Sequence, residues 1–95
     1  HKATVPDFEP RNGLDSAALI ELLAWTEADF NERLQGSPIR RIGHVRWLRN
    51  IAVALGNVPA TQATLQALSS RSGHPDPLVR EHVEWALAQG GNVAN

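Results

Sequence analysis

The chain has 95 residues, enough for one domain with a single hydrophobic core. It contains no cysteine, which excludes disulfide bonds, cysteine-ligated zinc and cysteine-ligated iron–sulfur clusters within these residues. It has no apolar run of about 18 residues and no secretory leader, and it begins with His1, so we expect a soluble, cytoplasmic domain excised from a longer protein.

Charge is unevenly distributed along the chain, although the net charge is only −1. Residues 1–35 hold three basic and seven acidic side chains, whereas residues 36–95 hold six arginines and three acidic side chains. Such asymmetry can direct a polyanion to one surface, but the modest excess disfavours tight, sequence-independent DNA binding. The charge pattern favours a helper surface within a larger protein.

The chain opens with a segment that has no helical periodicity. Residues 1–13 contain two prolines and a glycine, which predicts an extended linker from a preceding domain. Asp15 is placed to cap a first helix over residues 16–25, whose leucine and isoleucine side chains form an apolar face. We therefore place a helical domain at residues 14–91 and a tail at residues 92–95.

Two further helix starts follow. Thr26 and Asp29 have the spacing of a capping-box variant and predict a second helix, which Gly36 ends. Ser37 and Pro38 repeat the start signal, with serine as the cap and proline as the first helical residue.

The next segment combines basic residues with an apolar helical stripe. Gly43 is expected to break or bend the helix, so that Arg40 and Arg41 lie on a separate turn. At about 100° per residue, one face of the following helix is apolar. That face carries Trp47, Leu48, Ile51, Ala52, Ala54 and Leu55. The opposite, donor-rich face carries Arg46, Arg49, Asn50 and Asn57.

Two more helices are predicted in the C-terminal third. One covers residues 60–71, and a loop at residues 72–75 separates it from a last helix over residues 77–89. The glycines at 90–91 are expected to end that helix. No alternating strand pattern competes, so the sequence predicts an all-α fold of about five helices.

An internal similarity favours stacked helix pairs. A shift of 32 residues places Ala54-Leu55-Gly56 on Ala86-Leu87-Ala88, and Ile51 on Val83. A single helix pair cannot bury its apolar face, so neighbouring pairs must share one core. We therefore predict a short α-solenoid of HEAT-like helix pairs.

The basic residues of the middle segment are the candidate functional group. Guanidinium groups match phosphate oxygens geometrically, and together with a carboxamide they suit a phosphodiester backbone. The residues of this pattern are Arg40, Arg41, Arg46, Arg49 and Asn50. Asn50 invites a functional reason because asparagine is a poor helix former. Arginines on an exposed helix face also serve solubility alone, and this alternative stays open.

The other polar and aromatic residues are assigned structural roles. Arg80 lies four residues before Glu84, which predicts an ion pair, and His82 is expected to be a neutral, hydrogen-bonded packing residue. Core anchoring is expected of Trp25, Trp47 and Trp85. The histidines lack zinc-site spacing and no nucleophile–base set is visible, so we expect neither a metal site nor catalysis here.

Several motifs occur in order along the chain: F-E-P-R at 8–11, I-E-L-L at 20–23, T-E-A-D-F at 26–30, G-S-P-I-R-R at 36–41, W-L-R-N at 47–50 and L-V-R-E-H-V-E-W-A-L at 78–87. Over residues 7–88 their order and spacing resemble the C-terminal part of the epoxyqueuosine reductase family.

The resemblance implies a parent enzyme that reduces epoxyqueuosine to queuosine at the tRNA wobble position, using cobalamin and two [4Fe–4S] clusters. The resemblance implies that the domains holding these cofactors lie upstream of His1. This chain lacks the cluster cysteines and the catalytic acid, so no cofactor is expected in the fragment itself. The resemblance further implies a HEAT-like appendage that binds the tRNA anticodon arm and adjoins the upstream catalytic domains, in a monomeric parent. The matching positions expected to contact tRNA are Arg40, Arg41, His44, Arg46, Arg49 and Asn50.

Two other functions stay open at this point. Solenoid repeats commonly present helical faces to peptides, which predicts a protein–protein adaptor that uses the acidic N-terminal half. The domain would alternatively be a structural cap that supports the cluster domain without touching RNA.

Overall fold

The computed structural model describes residues 16–94, and the side chains of residues 16–89. The regular structure of this part consists of α1 (Ser16–Leu23), α2 (Glu27–Arg33), a 3₁₀ helix (Pro38–Ile42), α3 (Gly43–Gly56), α4 (Gln62–Ser69) and α5 (Pro77–Ala94). This confirms the all-α prediction. The predicted linker and the predicted cap at Asp15 lie outside the described residues. Within residues 16–94, no helix combines the length and the apolar character needed to cross a membrane.

Two helices begin at reciprocal capping boxes. The Thr26 hydroxyl accepts a hydrogen bond from the Asp29 N–H, and the Asp29 carboxylate accepts one from the Thr26 N–H, both at 3.1 Å. This confirms the box predicted from the spacing. Thr61 and Thr64 form a second box, with distances of 2.9 and 3.1 Å, so α4 begins after Thr61 rather than at Ala60. Each such cap contributes about 1 kcal/mol to helix stability.

Two glycines set the turns on either side of the 3₁₀ helix. Gly36 has a φ of 79° and Gly43 a φ of 86°, values that residues with a Cβ atom rarely adopt. The break predicted at Gly43 is confirmed, since the 3₁₀ helix ends there and α3 begins. Arg40 and Arg41 accordingly lie on a separate turn before α3.

Helix α3 lies at the centre of the fold. It contacts α1, α2, α5 and the 3₁₀ helix. Its buried side chains are His44, Trp47, Leu48, Ile51, Ala52, Ala54 and Leu55, which confirms the predicted apolar stripe. Because burying one large apolar side chain contributes about 1.5–3 kcal/mol, this face fixes the orientation of α3 and leaves the opposite face at the surface.

Helix α5 packs along α3 and also contacts α4. The internal similarity aligns Ile51 with Val83, and both side chains are fully buried. It also aligns Ala54 with Ala86, and both of these are nearly fully buried. Equivalent positions of the two sequence segments therefore face the core. Stacking of HEAT-like helix pairs stays a prediction.

The end of α5 differs from the sequence prediction. The helix continues through the glycines at 90–91 to Ala94, so the expectation that they end it was wrong. Glycine ends a helix by adopting a left-handed conformation, whereas inside a helix it costs only about 1 kcal/mol. The turns already formed before Gly90 propagate the helix through both residues.

The three tryptophans do not share one role. Trp47 is buried, and its ring stacks on the half-buried ring of Trp25 with centroids 5.3 Å apart. Trp85 is 39% exposed, so its predicted core role was wrong. The smaller side chains of α5 occupy the core-facing line, and the Trp85 ring instead lies against Gly56, where a Cβ atom would overlap it.

The C-terminal end of α1 is closed by two side chains from distant parts of the chain. The Trp47 indole N–H donates to the Leu22 carbonyl at 3.2 Å. The Arg71 guanidinium donates to the Leu23 carbonyl at 2.9 and 3.1 Å and to the Trp25 carbonyl at 2.9 Å. We call these five residues the carbonyl junction. They pair acceptors that a helix end leaves without intrahelical partners.

Candidate nucleic-acid interface

The exposed face of α3 carries three of the six residues predicted to contact tRNA. Arg46 is exposed, while Arg49 and Asn50 are half-buried one turn further along. The Arg49 Nε–H donates to the Asn50 side-chain oxygen at 2.8 Å. We call Arg46, Arg49 and Asn50 the basic stripe, since positions three and four apart share one helix face.

The 3₁₀ helix adds two exposed arginines next to α3. Arg40 and Arg41 line an open cleft whose other lining residues are Asn31, Gly36, Ser37 and Pro38. We call it the two-arginine cleft. Asn31 was not singled out from the sequence, and Ser37 was assigned only as a cap. The cap itself is confirmed, because the Ser37 hydroxyl accepts a hydrogen bond from the Ile39 N–H at 3.2 Å.

Two of the four guanidinium groups of this surface have neutral hydrogen-bond partners. Arg40 donates to the Asn31 side-chain oxygen at 3.4 Å, and Arg49 donates to Asn50. Within the part of the chain that the structure describes, Arg41 and Arg46 form neither a hydrogen bond nor an ion pair. The positive charge of these arginines is therefore available to an anionic ligand.

His44 lies on the other side of α3. It is 9% exposed, and its Nε2 donates to the Trp25 carbonyl oxygen at 2.8 Å, alongside Arg71. At about 100° per residue, His44 projects about 160° away from Arg46. The structure thus separates His44 from the exposed arginines with which the sequence grouped it.

Burial lowers the pKa of His44 below its ordinary value of 6.5. The positive charge of Arg71 and the nearby His74 ring lower this pKa further, whereas the hydrogen bond to Trp25 and the carboxylate of Glu27 oppose them. The net direction is downward, so folding favours the neutral imidazole.

We expect the free energy of unfolding to decrease as the pH falls below about 6.5. The unfolded chain then binds a proton on His44 that the folded chain binds only at lower pH, so the contribution is fully present above pH 6.5 and is lost below it. Urea unfolding between pH 7.5 and 5 measures this dependence. His44→Gln keeps an N–H donor without the titration and should flatten the curve. Curves of equal slope would contradict the assignment.

The other arginines of the described region are engaged within the fold. Arg71 belongs to the carbonyl junction. The Arg33 guanidinium lies 5.2 Å from the centroid of the Trp25 ring, in cation–π geometry. Arg80 donates to two carbonyl oxygens of the loop before α5, at 2.7 and 2.9 Å. The predicted ion pair with Glu84 was wrong, because these loop carbonyls take the guanidinium instead.

An apolar groove adjoins the basic stripe. Val53 lies one turn beyond the stripe on α3 and lines the groove with Glu81, His82 and Trp85 of α5. The Nδ1 atom of His82 lies 2.8 Å from the Leu78 carbonyl oxygen, which confirms the hydrogen bond predicted for this histidine. The negative charge of Glu81 in this groove would repel a polyanion.

The residues present do not fit an iron–sulfur cluster, since the sequence has no cysteine. Within the described region, no three histidine or acidic side chains are grouped as metal ligands.

Comparisons with known proteins find close relatives that are named epoxyqueuosine reductase. The epoxyqueuosine reductase of Xanthomonas campestris is 62% identical over 86 residues, which are 90% of this chain and 24% of that protein. The enzyme of the same name from Pseudomonas aeruginosa is 58% identical over 87 residues, or 92% of this chain and 24% of that protein. The Escherichia coli enzyme is 57% identical over 86 residues, or 90% and 22%.

This chain spans about a quarter of the length of these relatives. No family model matches it, and no solved structure matches it.

Proposed function

Because this chain belongs to the epoxyqueuosine reductase family, we propose that it is the tRNA-binding and tRNA-positioning domain of such an enzyme. It corresponds to about a quarter of the length of the relatives. The parent reduces epoxyqueuosine to queuosine at the tRNA wobble position in the cytoplasm, and this domain holds the anticodon arm. Cobalamin and iron–sulfur ligands are supplied by the rest of the parent. Reduction is therefore assigned outside these residues.

One observation supports the proposal above the others: the basic stripe and the two-arginine cleft present uncompensated guanidinium groups on consecutive elements. Contacts to phosphate oxygens fix the orientation of a nucleic acid without reading its sequence. A surface built of arginines and amides, fixed by the buried face of α3, suits that task. The active site would then receive a nucleotide already held in position.

Arginine footprinting of the full-length reductase tests the proposal. We expect tRNA to protect Arg41 and Arg46 from modification by phenylglyoxal, because a bound phosphate occupies the exposed guanidinium. Arg33 is an internal control, since it is exposed on α2 and does not line the two-arginine cleft. Mass spectrometry of the modified peptides reports each arginine separately. Equal modification of Arg41 and Arg46 with and without tRNA would contradict the proposal, and equal protection of Arg33 would indicate non-specific coating.

The apolar groove supports a second candidate function, docking to another protein surface. Trp85 is the one exposed large apolar side chain among residues 16–89. Tryptophan is enriched at protein–protein hot spots, and the carboxylate of Glu81 in the same groove disfavours RNA there. A structural or adaptor role through this groove would leave the arginine footprint unchanged by tRNA.

A further inference from the structure

The two-arginine cleft is more than a patch of exposed charge. It opens between α2 and the 3₁₀ helix and has a volume of about 560 Å³. This lies within the range of sites that hold small organic ligands, so it exceeds what one inorganic anion fills. A phosphate with its adjoining ribose is a group of suitable size.

The polar side chains that line the cleft present hydrogen-bond donors. The Asn31 side-chain oxygen accepts from Arg40, which leaves the Asn31 NH₂ group as a donor. The Ser37 oxygen accepts from the Ile39 N–H, which leaves the hydroxyl hydrogen for an outside acceptor. No carboxylate is among the six lining residues. Donors together with two positive charges select an anion that carries several acceptor oxygens.

Local backbone restraints and one packing contact shape the walls of the cleft. Gly36 holds a left-handed conformation, Pro38 restricts its own φ angle, and Ile39 packs against the core. The hydrogen bond from Arg40 to Asn31 orients the Arg40 side chain, whereas Arg41 is the exposed, unpaired cation at the rim. A site ordered in this way binds with a smaller loss of side-chain entropy.

We propose that the two-arginine cleft binds a single phosphodiester group of an RNA backbone, with Arg41 as the main charged contact and Asn31 as the positioning residue for Arg40. This inference rests on the proposed function and narrows it. The basic stripe attracts the RNA backbone electrostatically along its length. The cleft binds one phosphate and so fixes the register of the RNA on the domain.

Single-site charge removal in the RNA tests the cleft. Synthetic anticodon arms, each with one uncharged methylphosphonate linkage, are titrated against the full-length reductase and its Arg41→Gln and Arg33→Gln variants. In the unmodified enzyme we expect one linkage, or two adjacent ones, to weaken binding by about tenfold, as a charged hydrogen bond would. Arg41→Gln should bind unmodified RNA about tenfold more weakly and be insensitive to that same linkage. Arg33→Gln should behave like the unmodified enzyme.

The outcomes separate the cleft from the broader proposal. If Arg41→Gln weakens binding but every methylphosphonate keeps its effect, the arginine acts by long-range attraction and the single-phosphate site is wrong. If Arg41→Gln changes nothing while variants of the basic stripe lose affinity, the cleft is wrong and tRNA binding stands. If neither surface affects affinity, both proposals fail. Because Arg41 is exposed, the thermal unfolding of the Arg41→Gln variant should match that of the unmodified enzyme. Asn31→Ala should weaken RNA binding in the same way but by a smaller factor.

Discussion

Replacing Arg46 and Arg49 together with glutamine is expected to weaken tRNA binding by the full-length reductase on the order of tenfold near physiological salt. Each lost phosphate contact also lowers the slope of log affinity against log salt by about 0.7–0.9. Two lost contacts should therefore reduce the slope by roughly 1.5, and filter binding over a salt series measures both quantities. The effect is electrostatic, so it should shrink as salt rises.

The matched control is a variant that changes the net charge of the protein by the same amount on a different helix. Gln62 and Gln66 are exposed on α4, and their joint replacement by glutamate lowers the net charge by two, as the double arginine variant does. We expect affinity and salt slope to stay close to those of the unmodified enzyme. Equal losses in both variants would mean that net charge matters and the position of the basic stripe does not.

Replacing Arg71 with alanine is expected to destabilise the 95-residue chain by about 3 kcal/mol. The change removes three hydrogen bonds to the Leu23 and Trp25 carbonyls. The Leu23 carbonyl loses both of its bonds to Arg71, while the Trp25 carbonyl keeps only its hydrogen bond from His44. Burial lowers the pKa of Arg71 below its ordinary value, which is the expected sign for a cation held away from solvent. Urea unfolding followed by circular dichroism measures the loss, which corresponds to a melting temperature roughly 12–24 °C lower.

Two further variants make the Arg71 result specific. Arg71→Lys keeps the charge but lacks the planar fork that reaches two carbonyls at once, so it should recover less than half of the lost stability. Arg41→Ala removes an arginine without a partner among the described residues and should change stability by no more than about 0.5 kcal/mol. An unfolding midpoint for Arg71→Ala equal to that of Arg41→Ala would show that the carbonyl junction does not hold α1 in place.

Features that depend on near neighbours in the chain were predictable. The capping box of Thr26 and Asp29 involves residues three apart, and the turn at Gly43 reflects the conformational freedom of one residue. The apolar stripe of α3 follows from the helical period alone, and its exposed face, with the basic stripe, follows with it.

Contacts between residues that are far apart in the sequence could not be predicted from local spacing. Nothing near Arg71 in the sequence points to the Leu23 carbonyl, 48 residues earlier. His44 was grouped with its basic neighbours, although packing against the end of α1 turns it inward. Asn31 entered the candidate site only when α2 and the 3₁₀ helix formed the two-arginine cleft.

The sequence by itself determined the presence of the helices, most of their starts, the buried face of α3 and the family to which the chain belongs, because these depend on residue type, short spacing and motif order. Tertiary packing decided which arginines stay available, since Arg71 and Arg80 found carbonyl oxygens and Arg41 and Arg46 did not. The physical reason is that a donor's partner is set by the distance between folded elements, which local spacing does not encode.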